Sequence, residues 1–173
     1  GYEEAAGQGL VAGMIAARMA GCSATITLDR ATSYIGVMID DLTQKGVTEP
    51  YRMFTSRSEY RLSLRVDNAD ERLTEVGGGW GIVSSKRLKA HSARILELNS
   101  IRERIESLAV SPNAGATFGL RINQDGVRRS AFDLLSYPDV DWSALCLVWP
   151  ELVDAPRWIV DRLSADASYS VYL

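Results

Sequence analysis

The sequence predicts a mostly α-helical chain, and three observations carry that expectation. From Leu88 to Leu108, the residues Leu88, Ile95, Leu98, Ile101, Ile105 and Leu108 fall at helical spacing. Residues 33–42 repeat the pattern at Ile35, Met38, Ile39 and Leu42, with Gly46 as a stop. Further on, Pro138, Pro150 and Pro156 separate the short apolar runs 131–135, 142–149 and 158–163, which read as short helices joined by turns. The composition suits this class: 46% of the 173 residues are apolar and 24% charged, enough for one or two small globular domains. A net charge of −3 excludes a global basic field, so any nucleic-acid surface must be local. The single histidine, His91, and two distant cysteines, Cys22 and Cys146, leave almost no material for a triad, a metal centre or a disulfide framework. No apolar run approaches the roughly 20 residues that span a bilayer, and the expected location is cytoplasmic, away from membranes.

Taken in order, residues 1–21 carry Glu3 and Glu4 early and Arg18 late, the charge order that suits a helix dipole. Ala5, Ala6, Gly9, Ala12, Gly13, Ala16 and Ala17 fill one side. So many glycines weaken an isolated helix, a cost accepted where a helix packs very closely on another backbone, a sheet or a flat ligand. The segment reads as belonging to something larger. Residues 23–30 show a short extended pattern. Ser56 with Glu59 and Asn68 with Glu71 form capping-box patterns, predicting helices near 57–65 and 69–76, although Leu62, Leu64 and Val66 also fit a strand. Gly77, Gly78, Gly79 and Gly81 around Trp80 read as a loop. Ser85 is the expected cap of the long helix and Ser111-Pro112 its end. The closing SADASYSVYL lacks a solvating tail, as expected of a C-terminus cut short.

Two stretches go beyond class. GYEEAAGQGLVAGMIAA, and then YIGVMIDDLTQKGVTEPYRMFTSRSEYRLSLRVDNADERLTEVG, together resemble consecutive segments of the GidA/MnmG family in order and spacing. These are flavin-dependent enzymes that modify the wobble uridine of certain tRNAs. The likeness covers about the first half of the chain and thins past Trp80 to a helical tail. The chain departs from the family pattern at Gly7, at Ile15 and in the GGGWG run. The resemblance implies a helix left over from a Rossmann-type FAD-binding domain with a connector over 1–30. A helical C-terminal domain, incomplete at its end, follows over 31–173. It further implies an enzyme that adds a carboxymethylaminomethyl or aminomethyl group to C5 of the wobble uridine, with FAD, NADH and a folate one-carbon donor. The implied partners are tRNA and the GTPase MnmE around a homodimer core. The family's glycine-rich dinucleotide motif, reactive cysteines and nicotinamide-contacting region would lie upstream of Gly1. No catalytic residue is therefore expected here, Cys22 and Cys146 are not those cysteines, and the piece alone is expected to be inactive.

Two candidate sites follow. The N-terminal end of the first helix, at Gly1, Tyr2 and Glu3, is where the resemblance puts the flavin, since free N–H groups and a positive dipole end stabilise negative charge. The competing reading is a plain small-residue packing helix. The second site is Arg52, Arg57, Arg61 and Arg65 with Tyr51, Phe54 and Tyr60 interleaved. On a helix over 57–65, Arg57, Arg61 and Arg65 share one face. Guanidinium forks grip phosphates and aromatic rings stack on unpaired bases, the chemistry an anticodon loop needs. Against it stands a solvated face whose arginines pair with Asp67, Asp70 and Glu71. Asp40 and Asp41 diverge too far to grip one metal ion and read as solvent or ion-pair residues. Lys86, Arg87 and Lys89 are a further candidate phosphate contact. His91 reads as surface and the four tryptophans as core. A different class remains open: a non-catalytic interaction module, docking the GTPase or its own twin through tryptophan-rich helices such as those of Trp142 and Trp158.

Overall fold

The structure, a computed structural model, describes residues 1–172. Its described residues form helices α1 (Tyr2–Ala20), α2 (Tyr34–Asp40), α3 (Ala69–Gly79), α4 (Ser85–Ser107), α5 (Pro112–Thr117), α6 (Ala131–Leu134), α7 (Trp142–Val148) and α8 (Arg157–Ser170). The expected mostly α fold holds. A two-stranded antiparallel ribbon, β1 (Ala109–Val110) with β2 (Arg129–Ser130), is the sheet found among them, pairing Ala109 with Ser130 and Val110 with Arg129. The chain divides into two compact units, Gly1–Leu88 and Lys89–Leu173.

In the first unit, α1 buries Val11 and Met14 with Ile26, and Ile15, Leu28, Ile35, Ile39 and Trp80 pack around them. The small-residue side of α1 is open instead: a Cβ added at Gly9 or Gly13 would meet nothing within 4 Å. The Ser33 side chain caps α2 by accepting from the Gly36 amide at 3.0 Å, and a π turn over Asp41–Lys45 ends at Gly46, whose φ is +66°. Gly36 is obligatory, because a Cβ there would overlap the Asp29 carbonyl.

The expected helix over 57–65 does not form. A 3₁₀ turn, Thr55–Arg57, is followed by turns to Ser63 and a second 3₁₀ turn, Val66–Asn68. The reason lies in where the backbone carbonyls find donors. The Arg52 carbonyl accepts from Arg57 Nε at 2.9 Å, that of Arg57 from Arg30, that of Ser63 from Asn68 Nδ2 at 2.8 Å and that of Arg65 from Arg72. Side chains thus take the place of helical N–H groups.

The helix expected at 69–76 is α3, and it runs on through the glycines expected to be a loop. Gly77 and Gly78 let Val83 and Leu88 close against the helix, since a Cβ would come within 2.8 Å and 2.7 Å of them. The stop is a Schellman arrangement: Gly81, at φ +79°, donates to Gly78 O and Ile82 to Gly77 O. The cap of α4 is Ser84, one residue earlier than expected, with its hydroxyl accepting from the Arg87 amide. Ser111-Pro112 begins a helix rather than ending one: Ser111 accepts from Ala114 N and Pro112 opens α5.

The second unit is organised on Leu98, Ile105, Ala131, Leu134, Leu145, Ile159 and Leu163, all at most 2% exposed. Trp142, Trp149 and Trp158 pack at the edge of this core, half-buried; Trp142 Nε1 donates to Leu152 O at 3.1 Å, and Arg94 stacks 4.5 Å from the Trp158 ring centre. His91, expected at the surface, is buried. It lies seven residues before Leu98 and four before Ile95, on the stripe that α4 turns inward. The end of the closing run, Leu173, lies outside the described residues. Among those described, no helix is long and apolar enough to cross a membrane and no cluster could hold a metal ion.

Candidate nucleic-acid interface

The four arginines of the basic cluster fall into two kinds. Arg65 is largely buried and committed: its Nε and Nη2 donate to Asp67 at 3.0 Å and its Nη1 to Leu62 O. Arg57 donates to Arg52 O, stacks 4.6 Å from the Tyr51 ring centre and lies 3.9 Å from Asp41. Arg52 and Arg61 are exposed; Arg52 lies 5.9 Å from the Phe54 ring centre, and Arg61 makes no hydrogen bond or ion pair among the described residues. Phe54 and Tyr60 are about half exposed beside them. Without a helix over 57–65, Arg57, Arg61 and Arg65 share no helical face. The outward set is Arg52, Phe54, Tyr60 and Arg61.

Beneath this surface lies a charge cluster whose centre, Arg30, sequence reasoning missed. Its Nη1 donates to Asp40 at 2.6 Å and Asp41 at 3.1 Å, and its Nη2 to Glu59 at 2.9 Å and to Arg57 O. Asp41, 3% exposed, also accepts from Lys45 at 3.0 Å and from the Tyr51 hydroxyl at 2.9 Å. Burial alone would raise the Asp41 carboxyl; the donors Lys45, Tyr51 and Arg30 outweigh it and hold the group at about 2. Tyr51 moves the other way, to about 12, through burial and its bond to the aspartate. Arg30 is pushed further up by Glu59, Asp41 and Asp40. The ion-pair reading of Asp40 and Asp41 is the one realised. A signal was available: Asp41 follows Val37 and Met38 on the inward side of the helix, and an acid there requires a cation. A cavity of about 320 Å³ beside Arg57 is lined by Lys45, Glu49 and Tyr51 among others. Its two cations both face Asp41 and so are largely spent.

At the other candidate site, Gly1, Tyr2 and Glu3 are exposed, Tyr2 almost fully, and no side chain caps the start of α1. The backbone N–H groups of this first turn fit an anionic group; the Glu3 carboxylate does not. Glu4 accepts from the Met53 amide at 2.8 Å, a bond that lowers its carboxyl. Lys86, Arg87 and Lys89 are exposed on the first turn of α4.

The arrangement is a local basic and aromatic surface, Arg52, Phe54, Tyr60 and Arg61, on an acidic, mostly helical chain. Residues 85–173 match the model of the tRNA modifying enzyme MnmG/GidA C-terminal helical domain. The whole chain is 46% identical to the tRNA uridine 5-carboxymethylaminomethyl modification enzyme MnmG of Granulibacter bethesdensis and 38% identical to that of Bacillus subtilis, spanning 28% of each relative's length. The structure of Aquifex aeolicus GidA superposes with a TM-score of 0.85 at 39% identity, over 99% of this chain and 27% of that one. The chain belongs to the MnmG/GidA family of tRNA-modifying enzymes.

Proposed function

We propose that this chain is the tRNA-docking part of a longer flavin-dependent enzyme that adds a carboxymethylaminomethyl or aminomethyl group to C5 of the wobble uridine. One observation carries the docking assignment: Arg52, Phe54, Tyr60 and Arg61 are outward and neither arginine is ion-paired among the described residues, while the neighbouring charges neutralise one another internally. Exposed guanidinium groups take phosphate oxygens in pairs, and the two rings offer stacking faces to splayed anticodon bases. In this reading residues 1–30 are the tail of the FAD-binding domain. Its uncapped first-turn N–H groups at Gly1, Tyr2 and Glu3 serve the flavin, and the open face at Gly9 and Gly13 receives the rest of that domain. FAD and NADH would supply redox chemistry and a folate the one-carbon unit, at sites that lie mostly outside this chain.

Binding of an anticodon stem-loop RNA to the full-length protein tests the assignment. Arg52→Ala and Arg61→Ala are expected to weaken it about tenfold each, the worth of one charge-assisted contact, with unchanged circular dichroism. Unaltered binding in both variants would overturn it.

The GTPase MnmE and a second copy of the enzyme are the proposed protein partners. Trp142 and Trp158 are engaged in packing, so exposed Leu147 and Val153 are the better probes of an interface on the second unit. Leu147→Asp is expected to weaken partner association and leave RNA binding intact.

A further inference from the structure

We propose that Glu4 is a positioning residue for RNA docking: by holding the Met53 amide, it sets the register in which the extended stretch 51–54 presents Arg52 and Phe54 outward. This rests on the docking role proposed above.

Residues 51–54 belong to no helix or strand. Their side chains nevertheless alternate as extended backbone dictates: Tyr51 is buried, Arg52 exposed, Met53 half-buried and Phe54 exposed. A slip of one residue would invert that order, turning Tyr51 and Met53 out and burying Arg52. No ladder of neighbouring strands prevents the slip, so side chains must. Two long-range anchors do so on the inward side. The Tyr51 hydroxyl is fixed to Asp41 at 2.9 Å, and the Met53 N–H to Glu4 Oε1 at 2.8 Å, across 49 residues of sequence. The Glu4 side chain is only 11% exposed. The carboxylate therefore ties the first turn of α1 to the docking stretch. Arg57 closes the stretch from the far side, its backbone N–H bonding Phe54 O and its Nε bonding Arg52 O. Of these ties, the one to Glu4 alone is made to the backbone of 51–54 by a residue distant in sequence.

The test is tRNA binding by the full-length protein over a salt series, for Glu4→Ala, Glu4→Asp, Glu4→Gln, Arg52→Ala and the Glu4→Ala/Arg52→Ala double variant. Glu4→Gln keeps an acceptor oxygen in place and is expected to bind within about twofold of the parent. Glu4→Ala, and Glu4→Asp, which keeps the charge but falls short by one methylene, are expected to weaken binding about as much as Arg52→Ala. Both should lower the salt slope by about one phosphate contact. In the double variant the second change should add nothing. A merely structural role would lower the active fraction without changing the slope, and that result overturns the proposal. So does a Glu4→Ala loss that adds in full to that of Arg52→Ala, or no loss at all while Arg52→Ala weakens binding. If Arg52→Ala and Arg61→Ala themselves leave binding unchanged, the docking role fails first and takes this inference with it.

Discussion

Arg30 and Asp41 show how much of this surface depends on two residues that touch no ligand in the proposed function. Arg30 satisfies Asp40, Asp41, Glu59 and a backbone carbonyl, and Asp41 in turn holds Lys45 and Tyr51. Removing Asp41 takes the one buried carboxylate that Arg30, Lys45 and Tyr51 share, and removing Arg30 takes the cation that Asp40, Asp41 and Glu59 share. Asp41→Ala is expected to destabilise the protein by about 3 kcal/mol in denaturant unfolding. Its pH dependence follows from the lowered carboxyl. Asp41 binds its proton near 2 when folded and near 4 when unfolded, so its contribution is complete above about pH 5 and is lost as the pH falls through 2. Asp41→Asn should flatten the decline of stability between pH 5 and 2, measured by urea melts; an unchanged decline would show that other carboxylates carry it. At this scale the sequence was only partly legible. Arg52 and Arg61 stood out and the structure leaves them exposed. The bonds that Arg30, Glu4 and Asn68 make were not legible, because their partners lie far along the chain or are backbone atoms: Glu4 read as an acidic helix start and Asn68 as a cap, and neither pattern points to Met53 N or Ser63 O.

Elements read well where the local code is strong and poorly where tertiary donors override it. α4 was visible from its apolar stripe, and the same stripe places His91 inward, although its polar neighbours suggested otherwise. The 57–65 helix was misjudged because the capping pattern at Ser56 competes with guanidinium and amide donors from Arg30, Asn68 and Arg72 that no local window contains. The glycine run read as a loop because glycine disfavours helices; close approach of Val83 and Leu88 is what makes it helical in α3. At Gly36 the close approach is to backbone. Gly36→Ala must push α2 away from the Asp29 carbonyl and is expected to cost about 2 kcal/mol or more, read as a lowered thermal midpoint. A midpoint unchanged within error would contradict the packing of α2 described here.

For the molecule as a whole, the fold class was legible along the chain and the family from its first half; the sequence divides the chain after residue 30, while the structure groups Gly1–Leu88 and Lys89–Leu173 as compact units. The second unit carries a core of its own, from Leu98 to Ala167, with α4 as its longest wall. Residues 85–173 expressed alone are accordingly expected to fold cooperatively with a helical circular dichroism spectrum. A non-cooperative melt would show that this core is incomplete without the rest. The proposed work of the molecule lies in the first unit, where a neutralised charge cluster leaves two arginines and two rings facing outward. The salt dependence of tRNA binding by the full-length protein, compared for Arg61→Ala and Arg65→Ala, tests that division most directly. Arg61→Ala is predicted to lower the slope by about one phosphate contact. Arg65, tied to Asp67, should leave the slope unchanged and lower thermal stability instead. Equal slopes for Arg61→Ala and the parent, or a larger change for Arg65→Ala, would contradict the account.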